Sequence, residues 1–170
     1  MTQTIMICGS RQRTPRMTHY AQRCVAKAKQ NGDNIIVGDA LGIDEDVVSA
    51  CHQLNVPYTC YGISASPRNS ALVYVNTQLE TYEERDKHLI GLADKIMCIW
   101  NGDSKGTVNV YSKATVARKQ AWLAVFAPNQ PLDLIENDTE TPWFWQFPTP
   151  KDRDVYIRQI IKRWEAEHGI

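Results

Sequence analysis

The 170-residue chain balances 19 lysines and arginines against 19 aspartates and glutamates, with 43 % apolar and 22 % charged residues. Such a composition suits one globular domain with a buried core, and it lacks the basic excess of most nucleic-acid binders. No run reaches the ~18 apolar residues of a membrane helix, and "MTQTIMICGS" lacks the basic-then-apolar pattern of a secretion signal, so a cytoplasmic chain with no membrane or nucleic-acid partner is expected.

In chain order, "TIMIC" (Thr4 to Cys8) reads as a buried strand. Met17, Tyr20, Ala21, Cys24, Val25 and Ala28 then recur at helical spacing, and Asn31-Gly32 ends that helix. "NIIVG" (Asn34 to Gly38) is a second strand. Asp44 is placed to cap a helix whose inner face is Val47, Val48, Cys51 and Leu54. "PYTCY" (Pro57 to Tyr61) is a third strand. Thr81 and Glu84 have capping-box spacing before a helix that runs to about Leu92. "KIMCIW" (Lys95 to Trp100) is a fourth strand, a helix is expected from Thr107 to Gln120, and "WLAVFA" (Trp122 to Ala127) is a fifth.

Strands that are apolar throughout and separated by helices indicate a parallel sheet covered on both faces. The expected fold is α/β, a doubly wound, mainly parallel, Rossmann-like sheet over residues 1–127. Residues 128–170 differ: an acidic, proline-rich arm carries Trp143, Phe144, Trp145 and Phe147, and a last helix opens at Thr149-Pro150 with Ile157, Ile160, Ile161 and Trp164 on one stripe. Arm and helix need an apolar partner, either the chain's own sheet layer or a second subunit, and a homodimer is the favoured reading. The five cysteines (Cys8, Cys24, Cys51, Cys60, Cys98) have no C-x-x-C spacing and read as free buried thiols. The four histidines are scattered. The sequence thus points to no metal ion and no cofactor.

Three loops follow strands, so in a parallel sheet they share one edge, where ligands of such sheets lie. The first carries Gly9, Ser10 and Arg11. The second, "GDALGIDED", carries Gly38, Asp39, Ala40, Gly42 and Asp44. The third, "NGDSKGT", carries Asn101, Gly102, Ser104, Lys105, Gly106 and Thr107, with Asn109 just beyond. Small residues let backbone N–H groups approach an anion, and a following helix adds the positive end of its dipole. Ser104, Gly106 and Thr107 are read as an anion seat with Lys105 at its rim.

With these loops on the page, the chain resembles the SLOG superfamily over about residues 4 to 127. "GSR" at Gly9 to Arg11 looks like its first loop, and "GDALGID" looks like its glycine-rich second loop with Asp39 in place of a glycine. "YEERDKHLIGLADKIMCIWNGDSKGT" looks like its arginine-bearing helix, strand entry and Ser-x-Gly-Thr loop. Arg85 matches the family arginine; "PRN" at Pro67 to Asn69 is a second candidate for that element. The superfamily includes LOG phosphoribohydrolases, DprA recombination mediators and nucleotide-ligand sensors. The resemblance therefore implies a nucleotide-like small-molecule partner and a dimer.

Asn109 stands where LOG enzymes carry a catalytic glutamate, and an amide cannot serve as a general base. The first functional reading is accordingly a binding module for a ligand with phosphate and ribose. The second is an N-glycosidic bond hydrolase, for which Asp39, Asp44 and Glu84, with Glu83, are the candidate carboxylates.

Overall fold

In the computed structural model, residues 2–126 and the backbone of strand 133–136 are described. The elements are β1 (Thr4–Gly9), α1 (Pro15–Asn31), β2 (Asn34–Gly38), α2 (Ile43–Leu54), β3 (Tyr58–Gly62) and β4 (Tyr74–Asn76). They continue with α3 (Tyr82–Leu92), β5 (Lys95–Trp100), α4 (Lys105–Val116), β6 (Gln120–Val125) and β7 (Asp133–Glu136).

The sheet order is β4-β3-β2-β1-β5-β6-β7. β1 to β6 pair in parallel, and β7 adds antiparallel to β6. The doubly wound, mainly parallel sheet expected from the sequence is present. The chain steps outward from β1 to β4, returns, and steps outward again through β5 and β6. The direction reverses between β1 and β5, and loops on either side of such a switch point splay apart to leave a crevice.

Alternation along the strands divides the core in two. Ile5, Ile7, Val37, Met97, Ile99 and Trp122 face α1 and α2. Met6, Cys8, Ile96, Cys98, Trp100 and Leu123 face α3 and α4. All five cysteines are free and buried in these layers.

Local chemistry sets the helix starts. Thr14 accepts a hydrogen bond from the Met17 N–H at 3.4 Å with Pro15 at the first helical position. Gly32 ends α1 at φ 74°. Thr81 accepts from the Glu84 N–H at 3.1 Å, half of the expected capping box.

Four expectations are corrected. The cap of α2 is Gly42 at φ 83°, not Asp44, whose side chain turns inward. α4 ends at Val116 rather than Gln120, because Arg118 turns left-handed at φ 59° and Gln120 already pairs with Lys95. Strand β4, of three residues with a half-exposed face, carries too little apolar pattern to be read from sequence. Part of the expected arm, Asp133–Glu136, forms β7. The aromatic cluster at 143–147 and the last helix lie outside the described residues.

Candidate ligand-binding site

The switch point is held shut at its floor and open above it. Ser10, at the end of β1, donates its N–H to the Ile99 carbonyl of β5 at 3.1 Å, and its hydroxyl accepts from the Asn101 N–H at 3.0 Å. Its Oγ also lies 2.6 Å from Ser104 Oγ, which donates to Thr107 Oγ1 at 3.0 Å. Asn101 folds the third loop: its Oδ1 accepts from the N–H groups of Asp103 and Ser104, both at 2.9 Å, and its Nδ2 donates to the Gln12 carbonyl at 3.1 Å. Loops one and three are thereby one hydrogen-bonded unit.

That unit has a chemical consequence for α4. Ser104 occupies the cap position but spends its hydroxyl on Ser10 and Thr107, so no side chain caps the first turn, and that turn holds no acidic residue. The orphan N–H groups and the positive end of the dipole are left to an incoming acceptor. A Cβ built on Gly106, the second helical residue, meets nothing within 4 Å.

Above this helix start lies a cleft of about 450 Å³, within the range of small-ligand sites. Its walls include ten of the expected residues: Gly9, Ser10, Arg11, Ala40, Asp44, Arg85, Asn101, Ser104, Gly106 and Thr107. Gly38, Asp39, Gly42, Gly102, Lys105 and Asn109 are not among them, nor is Glu84, which is exposed on α3. Glu83 pairs with Lys113 at 2.7 Å, away from the cleft. Arg11 is exposed on the rim and enters none of the ion pairs among the described residues.

From sequence, the glycines of loops one and two read as making room for a ligand. Most make room for protein. A Cβ on Gly42 would strike the Arg11 carbonyl oxygen, and one on Gly38 would lie 2.7 Å from Asp44 and 2.9 Å from Arg85. A Cβ on Gly9 would strike Ile43 at 2.5 Å. Gly106 alone of the site glycines whose surroundings are described faces open space.

Asp39, 0 % exposed, is the anchor of the second loop. It accepts from Arg68 through Nε (3.0 Å), Nη2 (2.8 Å) and the backbone N–H (3.1 Å), and from Arg85 Nη1 at 3.0 Å. Burial pushes its carboxyl up, but the Arg68 hydrogen bonds and both guanidinium charges outweigh this and hold it below its ordinary value. Both arginine candidates of the sequence thus reach the same carboxylate. Arg85 also donates to the Tyr61 carbonyl at 2.9 Å and to Asp86 at 2.9 Å. The Arg68 guanidinium lies 3.8 Å above the Tyr82 ring.

Asp44, 5 % exposed, lines the cleft. Its Oδ2 accepts from the Ala40 N–H at 3.3 Å, and its Oδ1 is buried without a hydrogen-bond partner. Burial pushes its carboxyl up to about 7; Arg85 opposes and Asp86 adds to the rise. Arg68, Tyr82, Asp86 and Asp103, which sequence reasoning passed over or set second, also line the cleft. Arg68 lies in the second arginine candidate, "PRN", while Tyr82 lies far from the three loops in sequence, and only the spatial position of α3 places it here. Among the described residues no group of three His, Cys, Asp or Glu side chains is placed to hold a metal ion.

No family model and no curated protein matches the sequence. Solved structures do match. The molybdenum cofactor binding protein of Rippkaea orientalis superposes with a TM-score of 0.65 at 16 % identity, covering 74 % of this chain and 77 % of its own. The Moco carrier protein of Chlamydomonas reinhardtii gives 0.63 at 11 % identity, covering 76 % and 79 %. DNA processing protein A of Helicobacter pylori, described by its single-stranded DNA binding mode, gives 0.55 at 17 % identity, covering 72 % and 64 %. The chain shares the Rossmann-like fold of these proteins, the fold that the SLOG resemblance implies. At these identities the likeness is one of fold. Proteins of this fold thus include cofactor binders and a DNA binder, and the chemistry of this chain's own cleft must choose among ligands. No described helix is long and apolar enough to cross a membrane.

Proposed function

We propose that the cleft binds a small nucleotide-like ligand, phosphate plus ribose, with the phosphate at the start of α4. The observation that carries this is the uncapped, acid-free first turn of α4 opening on the cleft beside Arg11, with Gly106 leaving its backbone unobstructed. Charge-assisted bonds from Arg11 and from helix N–H groups are the strong kind for phosphate. That two of the structural neighbours are named for a small cofactor supports a small-ligand cleft here. Single-stranded DNA is disfavoured by the balance of 19 basic and 19 acidic residues. Five free buried thiols support a reducing compartment such as the cytoplasm, and the homodimer read from the C-terminal aromatics belongs to the same proposal.

The test is a thermal-shift series with AMP, ADP, ADP-ribose and inorganic phosphate. A ligand at a hundred times its Kd stabilises by about 2.7 kcal/mol, several degrees for a chain of this size. A Tm unmoved by any of the four at millimolar concentration overturns the reading. Arg11→Ala should weaken the strongest binder by about tenfold or more.

Hydrolysis of an N-glycosidic bond is the second reading, and Asp44 is what favours it. A cleft carboxyl raised to about 7 suits a general acid. Chromatography of the AMP and ADP-ribose mixtures decides it: free base released at an enzymatic rate supports the hydrolase, and intact ligand rejects it.

A further inference from the structure

We propose that Arg68 reads the base of the bound nucleotide and selects a 6-oxopurine, of the guanine type, over adenine. The inference rests on the reading of the cleft as a nucleotide site and adds to it the identity of the base.

Arg68 lies in the connection between β3 and β4, yet its guanidinium is fixed in place. Nε and Nη2 donate to Asp39 Oδ1 at 3.0 and 2.8 Å, and the backbone N–H donates to Asp39 Oδ2 at 3.1 Å. The Tyr82 ring lies under the guanidinium at 3.8 Å. A side chain held this way has little freedom left to lose when a ligand binds.

An arginine offers paired N–H groups on two sides of its plane, each a fork for two acceptors. Asp39 takes the Nε–Nη2 side. The Nη1–Nη2 side is unspent: Nη1 donates to no described group, and the side chain keeps 27 % of its surface exposed, so these N–H groups are within reach of solvent. The Arg85 guanidinium lies 5.2 Å from the same Tyr82 ring, and Arg68, Tyr82 and Arg85 all line the cleft. The surface that Arg68 exposes around that ring is cleft wall.

The surrounding charge decides what the fork meets. Asp39 already answers the Arg68 charge, and Arg85 is paired with Asp39 and Asp86. Asp44, Asp86 and Asp103 line the same cleft. A second anion on the fork would sit among carboxylates, whereas a neutral pair of acceptors gains both hydrogen bonds without that repulsion. The O6 and N7 atoms of guanine are such a pair, spaced for an arginine fork. Adenine keeps N7 but presents an amino donor at position 6, so a donor faces a donor, and a site built this way rejects it. The placement agrees. α4 joins β5 to β6, and the β3–β4 connection lies on the other side of β1 in the strand order, yet both reach one cleft of about 450 Å³. A phosphate seated at α4 leaves the base to the side where Arg68 stands.

The test is isothermal titration calorimetry of the full chain with GMP, IMP and AMP, for wild type, Arg68→Gln and Arg68→Lys. GMP and IMP should each bind wild type about tenfold or more tighter than AMP. IMP lacks the 2-amino group of guanine, so its parity with GMP shows that the O6–N7 edge is what is read. Arg68→Gln has no fork, and Arg68→Lys commits its one ammonium to Asp39. Both should bring the GMP and AMP affinities within about twofold of each other. The ratio cancels any damage to the fold that both ligands feel alike. Wild type without a GMP preference, a preference that excludes IMP, or one that survives in both variants overturns the proposal. ADP bound more tightly than GMP, with that advantage lost in Arg68→Gln, assigns the fork to a second phosphate and overturns it too. If GMP, IMP, AMP and inorganic phosphate all fail to bind wild type, the reading of the cleft falls and this proposal with it. AMP binding as tight as GMP binding sinks the base selection alone.

Discussion

At the scale of single residues, the two aspartates of one loop have opposite fates, five positions apart. Asp39 pairs with two arginines, which hold its carboxyl below the ordinary value; Asp44 forms no ion pair, and burial pushes its carboxyl up to about 7. Removing one partner of a buried ion pair costs about 3–5 kcal/mol because the other charge is stranded. Arg85, 5 % exposed, is the deeper partner of Asp39. Arg85→Met should therefore lower unfolding stability by about 3 kcal/mol, and the more exposed Arg68→Ala by less; urea titration at neutral pH checks the order. Asp44 gives a pH-dependent counterpart. Its folded-state value near 7 lies above the unfolded one near 4, so the native state binds the extra proton between them. The stability it contributes is fully present below the unfolded value and is lost as pH rises through about 7. Asp44→Asn should consequently raise Tm over wild type by several degrees at pH 8 and by clearly less at pH 5. Equal shifts at both pH values would rule out a raised Asp44. Asp39, held low, acts in the opposite sense: its contribution is present above the unfolded value and lost as pH falls.

The elements show how helix starts divide between folding and function. α1 and α3 have threonine caps that accept from their third helical N–H groups. α4 has a serine in the same position whose hydroxyl is used elsewhere, and it is α4 that opens on the cleft. A carboxylate in its first turn would stabilise the helix while repelling a phosphate. Gly106→Asp meets no neighbour, so it should be neutral to stabilising by about 0.3–1 kcal/mol through the dipole. The same variant should weaken AMP or phosphate binding by about tenfold or more, because like charges then share the seat. Thermal melts with and without ligand read both effects at once. Weaker binding with a lower unliganded Tm would mean a damaged fold instead. The end of α4 teaches a different lesson. "KATVARKQ" carries no glycine, proline or asparagine, and nothing local stops the helix. What stops it is the demand that Gln120 pair with Lys95, met by a left-handed Arg118.

For the whole molecule, the reversal between β1 and β5 places loops one and three side by side and makes them a single hydrogen-bonded floor. The β3–β4 connection then folds over from the far side and brings Arg68 onto Asp39. A chain built this way presents the cleft on one sheet edge. As a homodimer it should show twice the 19.3 kDa chain mass by light scattering at micromolar concentration. A monomer mass rejects the dimer, and a dimer unchanged by truncation at Pro128 rejects the C-terminal arm as its cement.

The periodicity of apolar residues determined, without further help, the parallel α/β sheet, the helix faces and the edge where the strand-following loops meet. Those features depend on local spacing, which the sequence writes directly. The Thr81 cap and Gly106 in the third loop were legible for the same reason. Tertiary structure alone decided what the loops do with their side chains. Gly38 and Gly42 read as ligand clearance but seat Asp44, Arg85 and the Arg11 backbone. Arg68 and Arg85 read as rivals but share Asp39, across 29 and 46 residues of chain. Asp44 read as a cap, and became a buried acid only because its neighbours' charges were already paired. Charge state and pairing are set by burial and by partners distant in sequence, and no local pattern encodes either.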